Sequence, residues 1–148
     1  MNKQLTLTTA ISINTSIDKV WFALTDKETI KKYFWGTETN TDWKVGSPIS
    51  FTGTWEGTPY EDKGFILQIE KEKIFKHSYW SSFWGTDYNP DDFSIITYEL
   101  IKNGNQTELT VTQEGFKDEQ SRDHSVSNWK GVLDNIKNLL EKEFNDND

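Results

Sequence analysis

Residues 118–144 read DEQSRDHSVSNWKGVLDNIKNLLEKEF, and this stretch decides the fold. Its apolar side chains recur at every third or fourth position and form one stripe: Val126, Trp129, Val132, Leu133, Ile136, Leu139, Leu140 and Phe144. Charged and amide side chains occupy most of the positions between them. This period predicts one long amphipathic helix with a bulky tryptophan near its start.

The chain before this helix predicts mostly short strands. At the N-terminus, alternating apolar residues from Leu5 to Ile13 indicate a strand with one buried face. Two short helices should follow. Thr25 and Glu28 have the spacing of a capping box, which predicts that the second helix starts there. Between Gly36 and Gly115, alternating runs separated by turns predict about six further strands.

Short turns between consecutive strands predict an antiparallel sheet, so the fold class is α+β. The turns are expected at residues 57–59, 70–73 and 103–106. The long helix must lay its apolar stripe on the sheet, because nothing else is available to cover that stripe. A sheet with a covering helix can enclose a cavity, which makes a binding protein the first hypothesis.

Bulk properties exclude several classes of protein. The 148 residues predict one domain spanning residues 1–148, and with no cysteine there is no disulfide or thiolate site. A net charge of −8 with a single arginine argues against nucleic-acid binding. The sequence has no run of about 18 apolar residues and no signal-peptide pattern at its N-terminus, so we expect no membrane span and a cytoplasmic location.

No catalytic or cofactor motif is found. His77 and His124 are far apart, and no spacing of ligand residues supports a metal site, so we expect no metal and no cofactor. The acidic pairs Glu61–Asp62 and Asp91–Asp92 are expected to be solvated, because both are predicted near turns and adjacent strand residues point to opposite faces.

The in-phase positions of the predicted strands and helix supply the candidates for a cavity. These twelve residues are Phe51, Trp55, Ile66, Gln68, His77, Tyr79, Tyr98, Val111, Gln113, Trp129, Leu133 and Ile136. His77 is either a hydrogen-bonded structural residue or a polar group that fixes one ligand atom. Gly53, in phase with Phe51 and Trp55, leaves space that either another side chain or a ligand would fill.

Aromatic residues make up 14% of the chain, and five of them are candidates for a lid or rim: Trp35, Trp43, Phe83, Trp84 and Tyr88. The last three lie in a predicted loop at residues 81–93. Large apolar side chains in a loop lower solubility unless they pack. This loop therefore folds onto its own domain, closes over a cavity mouth or contacts a partner.

The order of these elements and several sequence segments resemble the helix-grip superfamily, which contains START domains, birch-pollen-allergen proteins and polyketide cyclases. The segments are Val20–Trp21 with Thr25–Asp26, GFILQI at 64–69, SIITYEL at 94–100, NQTELTVTQEGF at 105–116, and the Trp129 helix. The chain is most similar to bacterial proteins related to the C-terminal domain of the activator of the heat-shock-protein-90 ATPase. The resemblance implies a curved antiparallel sheet that grips the C-terminal helix around an apolar cavity.

Three functions are compatible with this resemblance. The first is non-enzymatic binding of a small hydrophobic or aromatic molecule between the sheet and the C-terminal helix. The second is a module that contacts a chaperone, and the third is a polyketide cyclase-like or hydrolase-like enzyme that uses His77 or a buried carboxylate.

Overall fold

The computed structural model describes residues 2–84, 87–89 and 92–145, and of residues 143–145 only the backbone. Asp91 and the side chain of Phe144 therefore lie outside the described residues. The elements in chain order are β1 (Asn2–Ile13), α1 (Ile17–Thr25), α2 (Lys27–Tyr33), β2 (Glu38–Asn40), β3 (Pro48–Trp55), β4 (Thr58–Glu70), β5 (Ile74–Ser81), a 3₁₀ turn (Ser82–Trp84), β6 (Ser94–Asn103), β7 (Gln106–Phe116) and α3 (Glu119–Asn145).

The seven strands form one curved antiparallel sheet in the order β1-β7-β6-β5-β4-β3-β2. The predicted α+β class is confirmed, as are the two short helices after the first strand and the long helix at the end. Within the described residues, no helix combines the length and the apolar character needed to cross a membrane.

Helix α3 begins where the sequence predicted, because Asp118 Oδ1 accepts a hydrogen bond from the backbone N–H of Ser121 at 2.8 Å. The described members of the predicted stripe face inward, and the most buried of them are Trp129, Val132, Leu133, Ile136 and Leu140. The helix packs most closely on β1 and also touches β7. Lys137 Nζ donates to the Ser12 carbonyl at 2.8 Å, which ties the helix to β1.

The second short helix is present, but the predicted capping box is wrong. Asp26 is the N-cap of α2, and its Oδ2 accepts from the backbone N–H of Thr29 at 3.1 Å. Thr25 instead ends α1, where its hydroxyl donates to the Trp21 carbonyl at 2.9 Å. A carboxylate is as good a cap as a hydroxyl, so the one-residue shift follows from local competition between neighbours.

Strand β4 contains a β-bulge that changes which residues face the helix. Ile66 pairs with His77 but Gln68 pairs with Lys76, which leaves Leu67 as the extra residue. Alternation therefore passes from Ile66 to Ile69 on the inner face, and Gln68 turns outward to donate to Glu70 Oε2 at 2.7 Å. The prediction that Gln68 faces a cavity is wrong, because strict alternation does not survive the bulge.

Candidate functional site

A continuous group of rings covers the inner face of the sheet opposite the start of α3. Phe75 stacks on Tyr98 at 5.8 Å between ring centroids, with an angle of only 10° between the planes. Trp129 meets Tyr98 edge-on at 5.8 Å, and on the other side Phe51 lies 5.6 Å from the His77 ring. We call this group the aromatic wall; its members are Phe51, Phe75, His77, Tyr79, Tyr98 and Trp129.

His77 lies at the centre of the aromatic wall and is only 2% exposed. Its Nδ1 lies 2.9 Å from the carbonyl oxygen of Ser78, which can only accept, so Nδ1 carries the proton. Burial lowers the pKa of His77 to about 4, and the ring is therefore neutral at neutral pH. Nε2 is then an acceptor, and within the described part of the chain no group donates to it.

Tyr98 presents a second polar atom on the same face. Its ring is buried and lies 6.3 Å from that of His77, on the neighbouring strand. Burial alone raises the pKa of Tyr98, so the hydroxyl keeps its proton. Among the described residues this hydroxyl has no hydrogen-bond partner. The site therefore holds one acceptor and one donor inside a largely apolar lining.

Gly64 fixes the orientation of His77 from the next strand. A Cβ atom at this position would overlap the backbone carbonyl of Ser78, the group that accepts from His77 Nδ1. The Ser78 hydroxyl oxygen also accepts from the backbone N–H of Phe65 at 2.9 Å. Close approach of β4 to β5 at a glycine thus determines which imidazole nitrogen faces the interior.

Asp62 is a polar residue of the site that the sequence did not reveal. It is 8% exposed, and it accepts from the Tyr79 hydroxyl at 2.5 Å and from Ser81 Oγ at 2.7 Å. Burial raises the pKa of Asp62, and these hydrogen bonds act in the opposite direction. The prediction of a solvated pair is wrong for Asp62, because β4 starts at Thr58 and places this position well inside the strand. Glu61 is exposed, as expected.

Gln113 has its polar atoms engaged in the protein. Trp129 Nε1 donates to Gln113 Oε1 at 2.9 Å, and Gln113 Nε2 donates to Ser94 Oγ at 3.1 Å. Ser94 Oγ in turn donates to the Gly115 carbonyl at 2.5 Å. Gln113 therefore anchors the helix tryptophan to β7, and neither its amide oxygen nor its amide nitrogen lacks a partner.

The remaining cavity candidates divide into core and surface. Four belong to the buried core: Ile66, Val111, Leu133 and Ile136. Trp55 lies at the end of the β3–β4 hairpin and is 55% exposed, so its expected place in a cavity is wrong. At Gly53 a Cβ would lie 2.6 Å from the Tyr60 hydroxyl oxygen, so the Tyr60 side chain occupies the open position.

Two of the rim candidates flank α2 and β2. Trp35 is 58% exposed, adopts a left-handed φ of +49°, and lies beside Gly131 of α3. Trp43 is half-buried and packs edge-on against Phe75 at 5.7 Å. Trp43 therefore supports the aromatic wall from inside, whereas Trp35 faces solvent.

The loop after β5 sends its aromatic side chains to different places. Trp84 packs edge-on against Tyr79 at 5.9 Å, next to the aromatic wall, and exposed Phe83 contacts Tyr60. Tyr88 instead packs on Trp80 at 5.6 Å, on the outer face of the sheet. The prediction that Tyr88 forms a lid over the inner face is therefore wrong. Trp84 is the loop residue that contacts the aromatic wall.

A separate pocket of about 480 Å³ lies between the start of α1 and the β6–β7 turn, and it contains none of the predicted site residues. It is lined by residues 14–18, by Lys102 and by residues 104–107. In the described ranges, no group of three or more acidic or histidine side chains could hold a metal ion.

Comparisons with known proteins agree with this architecture. The family described as Activator of Hsp90 ATPase homolog 1-like protein matches residues 14–141. The solution structure of ChR145 from Cytophaga hutchinsonii is 36% identical, with a TM-score of 0.83 over 98% of this chain and 99% of that one. PFC0360w, an HSP90 activator from Plasmodium falciparum, is 21% identical, with a TM-score of 0.73 over 93% and 96% of the two chains. No match was found among curated proteins.

Proposed function

Because this chain belongs to the Activator of Hsp90 ATPase homolog 1-like family, whose fold grips a helix against a sheet, we propose that it binds a small hydrophobic or aromatic molecule between α3 and the aromatic wall. The observation that carries the proposal is the position of the wall. Helix α3 packs on β1 and β7, whereas most of the wall lies on β3, β5 and β6. The helix therefore does not pack directly on the half of the sheet that carries most of the aromatic wall.

A flat ligand suits this half of the sheet for two reasons. Aromatic rings pair favourably at centroid separations of about 4.5–7 Å, and the wall already uses that range between its own members. Each additional Å² of apolar surface removed from water contributes roughly 25 cal/mol before the cost of association. Affinity should therefore rise with the ring area of the ligand.

Native mass spectrometry and NMR titration with a panel of lipids and aromatic metabolites test this proposal. We expect a bound species, together with shifts of the Trp129 indole N–H, which lies at the wall. The matched pair Phe51→Ala and Phe83→Ala removes a wall ring in one protein and an exposed loop ring in the other. Weaker binding only in Phe51→Ala supports the site. Absence of binding by every apolar probe removes it.

Contact with a chaperone is the second candidate, and exposed Trp35 favours it. Its large aromatic side chain is 58% exposed, and tryptophan is enriched among the residues that dominate protein–protein interfaces. We expect Trp35→Ala, but not Trp55→Ala, to weaken capture of a heat-shock-protein-90 homologue. Unchanged chaperone ATPase activity at saturating protein would remove this candidate.

A further inference from the structure

We propose that the molecule bound against the aromatic wall is an uncharged aromatic alcohol or phenol, which donates a hydrogen bond to His77 Nε2 and accepts one from the Tyr98 hydroxyl. This inference rests on the proposed function, and it names the chemical class of the ligand.

The acceptor half of the argument comes from His77. Its Nδ1 proton is committed to the Ser78 carbonyl, and the neighbouring rings are Phe51, Phe75, Tyr79 and Tyr98. Within the described residues, none of these neighbours donates to Nε2. A ring nitrogen that accepts no hydrogen bond from these neighbours is available to accept one from a ligand hydroxyl.

The donor half comes from Tyr98. Two other inward-facing tyrosines have hydroxyl partners, because Tyr33 donates to the Ala23 carbonyl at 2.9 Å and Tyr79 donates to Asp62. In the described part of the chain, Tyr98 has no equivalent partner. The Tyr98 ring lies 6.3 Å from that of His77, so one ligand can contact both groups.

The charge of the inner face selects an uncharged ligand. In the described strands, no lysine or arginine occupies a buried position on the helix-facing side, and Lys63 points outward over the Tyr88 ring. Asp62, the one buried carboxylate among the described residues, already accepts on both oxygens. An anionic ligand would lose its hydration without gaining a cationic partner, and Asp62 would repel it.

Four probes of nearly equal size separate these contributions: naphthalene, 2-methoxynaphthalene, 2-naphthol and 2-naphthoate. Calorimetry or NMR titration of the full chain should give the tightest binding for 2-naphthol and weaker binding for the methyl ether. Naphthalene should bind more weakly still, with each step worth about three- to tenfold, as for one net hydrogen bond. The naphthoate anion should bind at least about tenfold more weakly than 2-naphthol.

Two variants assign the two hydrogen bonds. Tyr98→Phe should remove the advantage of the methyl ether over naphthalene, and His77→Phe should remove the further advantage of 2-naphthol. Tyr33→Phe deletes the same atom from a buried tyrosine outside the wall, and it should preserve every ratio. Comparison within each variant cancels general changes in packing. If His77→Phe does not fold, the ¹⁵N shift of Nε2 in the wild-type protein should move with 2-naphthol and not with its ether.

The outcomes distinguish the chemical class of the ligand from the proposal that an apolar molecule binds at the aromatic wall. Binding of none of the four probes overturns both. If naphthalene binds and 2-naphthol binds no better, or if 2-naphthoate binds best, the apolar site stands and the assignment of an uncharged hydroxyl ligand falls. Unchanged ratios in Tyr98→Phe overturn the assignment of the donor.

Discussion

Replacing Gly64 by alanine tests the link between the packing of the sheet and the aromatic wall. The added methyl group would overlap the backbone carbonyl of Ser78, and a backbone group cannot rotate away as a side chain could. The carbonyl must move, and it is the acceptor for His77 Nδ1. We therefore expect both lower stability and a disturbed imidazole.

The magnitude follows from three opposing contributions. Overpacking at a tight position costs about 1–3 kcal/mol. Loss of the His77 hydrogen bond costs about 0.5–1.5 kcal/mol. Alanine regains about 0.5–1 kcal/mol relative to glycine through the entropy of the unfolded chain. The midpoints of these ranges give an expected net loss of about 2 kcal/mol in the free energy of unfolding, or about 4–8 °C in Tm for a chain of this size.

Urea denaturation and thermal scans measure this loss, and the ¹⁵N spectrum of His77 reports on its tautomer. Gly131→Ala is the matched control, because a Cβ there would lie 3.9 Å from the nearest Trp35 atom, an ordinary contact. In the interior of a helix this change should raise stability by about 0.5–1 kcal/mol. A Gly64→Ala protein that is as stable as the wild type, with an unchanged His77 spectrum, would refute the reasoning.

Three further predictions concern buried polar groups. Gln113→Leu leaves Trp129 Nε1 and Ser94 Oγ without this partner, and it should lower the unfolding free energy in urea by about 2–4 kcal/mol. Burial lowers the folded pKa of His77 from its usual 6.5 to about 4, so the free energy of unfolding should fall by about 3 kcal/mol as the pH falls through that interval. Denaturation of His77→Phe over the same interval should show a smaller slope. Since burial raises the pKa of Asp62, the wild type should lose stability relative to Asp62→Asn as the pH rises above 3.8 toward neutrality; a constant difference would contradict this.

The sequence was sufficient wherever one periodic pattern ran undisturbed. The α3 stripe repeats over many turns, so its start, its buried face and the inward position of Trp129 were predictable. His77 and Tyr98 were also predictable as inward-facing, because β5 and β6 keep their alternation up to these positions.

Prediction failed where a contact from another strand decided the outcome. Gly53 left open either a vacant space or a filled one, and only the position of Tyr60 across the hairpin decides between them. The neighbours of Asp62 suggest a turn and so predict a solvated side chain, yet Tyr79 and Ser81 on β5 donate hydrogen bonds to it. Such contacts depend on the register between paired strands and on which side chain fills each position, and the alternation within a single strand does not give either.

Leu67, the extra residue of the bulge, reverses which positions of β4 face inward. Before Leu67, the even-numbered residues of β4 lie on the inner face of the sheet. After Leu67, the odd-numbered residues lie on that face. Deletion of Leu67 alone would remove the bulge and leave Ile66 and Ile69 in phase on the inner face, whereas a strand of the same length without the bulge would turn Gln68 inward and Ile69 outward. Relatives of this protein can therefore be compared position by position only if the count of residues along this strand is kept.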